Sequence, residues 1–206
     1  MSDAIATKRS TRLMLVAVGL LAAGLVLFPG AGSSSDHHTL QALEAALAPL
    51  PVHRADFPYR RAGRRAPDRA PVLVATVVAE AQRFAEGLGV GTDRLVLGGR
   101  SMGGRMCSMA VADGLPAAGL ALISYPLHPP GRPDRLRTEH LPRLDVPALF
   151  VSGTRDTFGT VDELEAASAA LAGPVRHVWI DGGRHPLDRV DDAIVAAVRG
   201  WLDDLG

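Results

Sequence analysis

The sequence predicts an α/β fold in which a mostly parallel sheet is covered by helices on both faces. Two observations carry this. Short apolar strand candidates alternate with amphipathic helical stretches along the chain, the pattern of strand–helix–strand units. The first clear apolar block, Leu25-Val26-Leu27-Phe28, runs straight into Pro29-Gly30-Ala31-Gly32-Ser33-Ser34-Ser35, as a buried parallel strand does when it ends in a functional loop. At 206 residues, with no repeat and no linker, the pattern is that of one domain without a large cap. Residues 25–206 are assigned to it. Residues 1–24 are a separate N-terminal segment that could supply an edge strand.

The elements follow in order. Residues 8–28 admit two readings. Lys8, Arg9 and Arg12 precede a 16-residue apolar run, the arrangement of an export signal or membrane anchor. A membrane-spanning helix needs about 20 residues, so no stable membrane insertion is expected, and the run divides more naturally into strands at 13–19 and 25–28. Asp36 or Thr39 can cap a helix to about residue 48, with Leu40, Leu43 and Leu47 on one face. Residues 52–57 read as a strand and 58–69, rich in Arg, Pro and Gly, as a surface loop. Pro71 suits the first turn of a helix that stops near Gly87 or Gly89. Strands are then expected at 95–97, 119–125, 148–152 and 175–180, and helices at 101–113, 161–171 and 188–205. Residues 126–147 hold six prolines and form an irregular excursion.

Composition excludes several classes. Hydrophobic residues make up 47% and charged residues 21%, which rules out disorder or a collagen-like chain. Twenty-two basic residues balance 22 acidic ones, so a whole-domain electrostatic grip on nucleic acid is not expected. All basic residues but Lys8 are arginine, which lowers the weight of arginine clusters such as 60–69. The single cysteine, Cys107, cannot form an internal disulfide and reads as a small buried hydrophobe.

The chemistry is carried by Gly99-Arg100-Ser101-Met102-Gly103, a G-x-S-x-G with a strand before it and a helix after it. A sharp strand-to-helix turn lifts the serine hydroxyl out at the carboxyl edge of the sheet, and the small flanking residues let the turn pack against itself. A serine hydroxyl needs a base and an orienting acid. In chain order the candidates are Asp156, after the 148–152 strand, and His185, after the 175–180 strand, both at strand carboxyl ends. Asp162 is the fallback acid, though it falls in a helix, and Asp181 reads as a turn residue. His53 and His177 lie within strands, and His140 reads as a surface residue. A tetrahedral oxyanion needs two donors. The N–H of Met102 supplies one and the loop after residue 28 the other, assigned to Ala31 with Gly32 as the alternative. Asp36-His37-His38 is a weak metal pattern, and no metal or organic cofactor is implied.

Five motifs in this order, Phe28-Pro29-Gly30-Ala31-Gly32, Phe57-Pro58-Tyr59 with Gly63-Arg64-Arg65-Ala66-Pro67-Asp68, Gly98 to Arg105, Tyr125 to Gly131 and Gly153 to Thr160, resemble the small bacterial α/β-hydrolases related to dienelactone hydrolase. Their eukaryotic relatives include a testis-expressed protein and a regulatory subunit of a histone-acetyltransferase complex. The resemblance covers roughly residues 25–205. It implies an α/β-hydrolase fold with Ser101, Asp156 and His185 as triad, and no defined substrate. Many members have His-Gly where this chain has Pro29-Gly30, and Asp-His-Ser where it has Arg184-His185-Pro186.

The expected function is therefore that of a serine hydrolase acting on a small carboxylic ester or thioester. The rivals are a non-catalytic binding protein on the same fold, which the regulatory relatives admit but the complete triad argues against, and a small peptidase. His128, Arg100 and Gly32 are expected to contact substrate. The expected compartment is the cytoplasm, because loss of residues up to about 30 would remove the strand before the oxyanion loop; export or anchoring through residues 8–28 is the alternative.

Overall fold

In a computed structural model, which describes residues 22–205, six strands form one all-parallel sheet. The strands are β1 (Gly24–Phe28), β2 (Val52–Arg54), β3 (Leu95–Arg100), β4 (Gly119–Ile123), β5 (Ala148–Gly153) and β6 (Val175–Ile180), in the spatial order β2-β1-β3-β4-β5-β6. The helices are α1 (His38–Leu47), α2 (Pro58–Arg61), α3 (Ala70–Leu88), α4 (Met102–Ala112), α5 (Val161–Ser168) and α6 (Asp191–Asp204).

The central strands are apolar over most of their length because both faces are covered. On β1, Leu25 and Leu27 face one layer, with Leu40 and Leu43 of α1 and Ile194, Val198 and Trp201 of α6. Val26 and Phe28 face the other, with Val77 and Ala81 of α3 and Met106 and Cys107 of α4. After β1 the chain steps to β2 on one side and then back to β3 on the other. That reversal leaves a crevice at the carboxyl ends of β1 and β3, where open sheets of this kind place their sites.

The strand expected at 13–19 lies outside the described residues. Several other expectations need correction. Residues 58–69 are not all loop: α2 opens them, its Pro58 at the first turn, and buries Tyr59. A four-residue helix is too short to show a period. Neither Asp36 nor Thr39 caps α1; His37 does, its ring accepting from the Thr39 N–H at 3.2 Å. His140 is not on the surface. It is 5% exposed and shares a buried cluster with Ser108 of α4 (2.8 Å) and Tyr125 (3.0 Å), which pins the 126–147 excursion to α4. Burial pushes its imidazole down to about 4, with the neighbouring Arg105 and Arg143 cations adding to the push. Among the described residues no helix is long and apolar enough to cross a membrane.

Candidate active site

β3 ends at Arg100, and Ser101 turns the chain into α4. Ser101 has φ 50° and ψ −115°, a strained conformation for a residue with a side chain. Such strain costs about 1–3 kcal/mol and persists only where the surroundings fix it. Here the Ser101 N–H donates to the Ile123 carbonyl at 2.8 Å, and α4 starts at the next residue. Within the turn itself the close approach is at Gly104, where a Cβ would stand 2.8 Å from the Gly99 carbonyl oxygen. Gly99 and Gly103 are small for another reason. A Cβ on either would collide with the Phe28 carbonyl oxygen, at 2.1 and 2.2 Å, so the elbow is wedged against β1.

That wedge brings the start of the loop after β1 to the serine. The β1–β3 register ends with Phe28 paired to Gly99, and a Cβ on Gly103 would stand 2.8 Å from the Pro29 carbonyl oxygen. A Cβ on Gly30 would lie 3.6 Å from the Ser101 Cβ. The 30–33 segment is a turn, with Ser33 N–H on the Gly30 carbonyl at 3.1 Å, and the Ala31 carbonyl accepts from the Tyr59 hydroxyl at 2.8 Å. Met102 is the first residue of α4, where helical N–H groups have no partner in the helix.

The other two candidates arrive on the loops after β5 and β6. Ser101 Oγ lies 2.8 Å from His185 Nε2, and His185 Nδ1 lies 2.8 and 3.0 Å from the two Asp156 carboxylate oxygens. The Asp156 side chain is fully buried; that of His185 is 16% exposed. Asp156 Oδ1 also accepts from the Phe158 N–H at 2.8 Å. This chain of contacts can draw a proton from the serine to the imidazole and hold the resulting cation against a buried carboxylate. The alternative acid, Asp162, is exposed in the first turn of α5, and Asp181 accepts from the Thr154 hydroxyl at 3.4 Å.

Of the remaining candidates, all but Gly32 are engaged within the protein. His128 is 4% exposed, with one ring nitrogen 2.9 Å from the Pro129 carbonyl oxygen and the other 3.4 Å from Glu163. Arg100 Nη2 donates to the carbonyls of His185 and Pro186. Gly32 is exposed, and a Cβ added to it would meet nothing within 4 Å. His38 binds Asp191 at 2.6 Å, His53 binds Glu80 at 3.1 Å, and His177 binds Ser168 at 2.9 Å. Cys107 is buried, its thiol pushed up by desolvation while it donates to the Gly98 carbonyl. Two contributors went unread in the sequence. Phe158 stacks on His185, ring centroids 3.9 Å apart and 22° from coplanar. Tyr59 anchors the loop through its hydroxyl; the Phe57-Pro58-Tyr59 motif flagged the residue but not its partner, which a buried hydroxyl needs.

The parallel sheet and its serine-bearing turn define an α/β-hydrolase fold. Residues 22–193 match the alpha/beta hydrolase domain family, and the chain belongs to it. Solved structures share the fold at low identity. Est1E from Butyrivibrio proteoclasticus is 16% identical, with 90% of this chain and 89% of that one covered and a TM-score of 0.71. Dienelactone hydrolase from Anabaena variabilis is 19% identical, with 89% and 87% covered and a TM-score of 0.67. The type II thioesterase BorB from the borrelidin biosynthetic cluster is 20% identical, with 87% and 92% covered and a TM-score of 0.65.

Proposed function

We propose that the protein is a serine hydrolase that cleaves a small carboxylic ester or thioester through an acyl-enzyme. The observation that carries this reading is the continuous contact from Ser101 through His185 to the buried Asp156. In the first half-reaction His185 Nε2 takes the Ser101 proton as Oγ attacks the substrate carbonyl carbon. The oxyanion of the tetrahedral intermediate is met by the N–H groups of Met102 and Ala31. Collapse breaks the bond to the leaving alkoxide or thiolate, which takes the proton from His185. Water then attacks the acyl-enzyme, giving its proton to His185, and collapse returns that proton to Ser101. Asp156 stays ionised and holds the imidazolium in register. The Leu127 and His128 N–H groups on the Phe158 carbonyl tie the excursion to the ring that covers His185, so the excursion walls the site in this reading. The motif resemblance to the subgroup with testis-expressed and histone-acetyltransferase-complex relatives belongs to the same proposal, as does a cytoplasmic location. For location the support is β1 itself: a mature start beyond residue 30, read by mass spectrometry of the native protein, would contradict it.

Pre-steady-state hydrolysis of p-nitrophenyl esters tests the reaction. A burst of nitrophenol stoichiometric with enzyme, absent in Ser101→Ala, is the expected result. An acyl-CoA series alongside separates ester from thioester preference. Equal turnover by the parent and Ser101→Ala would refute the reading.

A further inference from the structure

We propose that Arg100 is a positioning residue that clamps the histidine loop to the elbow, so that the His185 imidazole meets Ser101 in hydrogen-bonding register. The inference rests on the Ser101–His185–Asp156 reading and adds to it a residue with a defined task. Arg100 is the last residue of β3 and directly precedes the serine. Its Nη2 donates to the His185 carbonyl at 3.1 Å and to the Pro186 carbonyl at 2.6 Å, across 85 and 86 positions of chain. One residue pair, 100 and 101, thus holds both the nucleophile and the backbone of its base.

The loop needs such a hold. Leu187 and Arg189 have φ of 49° and 60°, left-handed values unfavourable to side-chain-bearing residues. Strained backbone of this kind relaxes unless its surroundings over-determine it. Three contacts fix His185 from different sides: Asp156 on Nδ1, Phe158 on the ring face and Arg100 on the backbone carbonyl. Leu187 is 2% exposed and anchors the loop's far side. Of these, only Arg100 reaches the loop from the elbow itself. Removing it frees residues 185–186 to slide relative to Ser101, and a misplacement of about 1 Å can cost about 100-fold in rate.

The guanidinium suits this task better than an ammonium. Its fork is planar and rigid, so one nitrogen can serve two successive carbonyls in fixed directions, whereas a lysine head is a mobile point charge. It is also partly buried: Arg100 Nε is buried, and Nη1 lies 3.8 Å from where a Gly30 Cβ would stand. The charged and titratable groups facing Arg100 are Asp188, Asp156, Asp191 and His37. With Nη2 committed to two carbonyls, Arg100 is held by the protein rather than kept for an acidic substrate.

The test uses the full chain with Arg100→Ala, Arg100→Gln and Arg100→Lys, each checked by thermal melting. Readouts are kcat and KM on neutral and carboxylate-bearing p-nitrophenyl esters, and the far-downfield proton resonance of the His185 Nδ1–H on Asp156. The expected result for Arg100→Ala is a kcat about 10–100-fold lower with KM within about twofold on both ester types. Free guanidinium in the buffer should restore part of the loss, Arg100→Lys should fall in between, and the resonance should broaden or vanish. An unchanged kcat overturns the clamp. So does a loss confined to KM for the carboxylate-bearing esters, which would make Arg100 a substrate contact. If the parent hydrolyses no ester, the hydrolase reading fails while the resonance still decides the clamp: its loss in Arg100→Gln supports the clamp, and its persistence overturns it.

Discussion

At Ser101 the backbone is held in a region that serine avoids, and the hydroxyl emerges within 2.8 Å of a histidine 84 residues away. The choice of acid is the sharpest question at this scale. Asp156 presents both carboxylate oxygens to His185 from a fully buried position, whereas Asp162 sits exposed in the first turn of α5 beside the Thr160–Glu163 capping box. Asp156→Asn should lower kcat on a p-nitrophenyl ester by about 10⁴-fold with the circular dichroism spectrum intact. Asp162→Asn should leave it near the parental value; severe damage there would move the acid to Asp162. That Ser101, Asp156 and His185 would meet was readable because each lies just after a strand, at the carboxyl edge of the sheet. The ring of Phe158 over His185 was not readable, because stacking depends on where two loops from different strands meet. The role of Arg100 was missed for the same reason: its partners lie 85 and 86 residues on.

Among the elements, β1 decides whether there is a site. Its register against β3 sets Pro29 and Gly30 beside the elbow, and the glycines at 99 and 103 let Phe28 approach. α2 then steadies that loop through the Tyr59 hydroxyl on the Ala31 carbonyl. Tyr59→Phe keeps the buried ring and removes only this bond. We expect kcat to fall about tenfold with little change in KM, less than the 10²–10³-fold typical of losing a direct oxyanion donor. An unaltered kcat would mean the loop holds its shape without Tyr59. Periodicity and turn residues sufficed to read the six described strands and the long helices. They could not show α2, which has four residues, nor the His37 cap, because a histidine competes poorly with Asp or Thr in any sequence-based reading of helix starts.

Over the whole molecule, two apolar layers sandwich the sheet and a proline-rich excursion is fastened to α4 by Ser108, Tyr125 and His140. The burial of His140 reverses the surface position expected from its proline-rich neighbourhood, since sequence position says nothing about which side of an excursion faces the core. It also makes stability depend on pH in a stated direction. The folded-state value is about 4 against an ordinary 6.5, so below pH 6.5 the unfolded chain takes up a proton that the folded chain refuses. Stability should be full above that value and fall as the pH drops from about 6.5 to about 4, by at most about 3 kcal/mol from this group. His37, pushed down to about 4 by burial and then by the Arg100 cation, acts in the same window and direction. Urea midpoints measured between pH 7 and 4 should show a shallower slope in His140→Gln than in the parent; equal slopes would show that His140 titrates alike in both states. The claim on which all of this converges is that Ser101 is a nucleophile activated by His185. It is tested most directly by treating the purified protein with a fluorophosphonate and mapping the adduct by intact-mass and peptide mass spectrometry. One phosphonyl group on Ser101, abolished by Ser101→Ala and strongly slowed by His185→Ala, is the expected result. A folded parent that takes no label, or a label on another residue that survives Ser101→Ala, would contradict it.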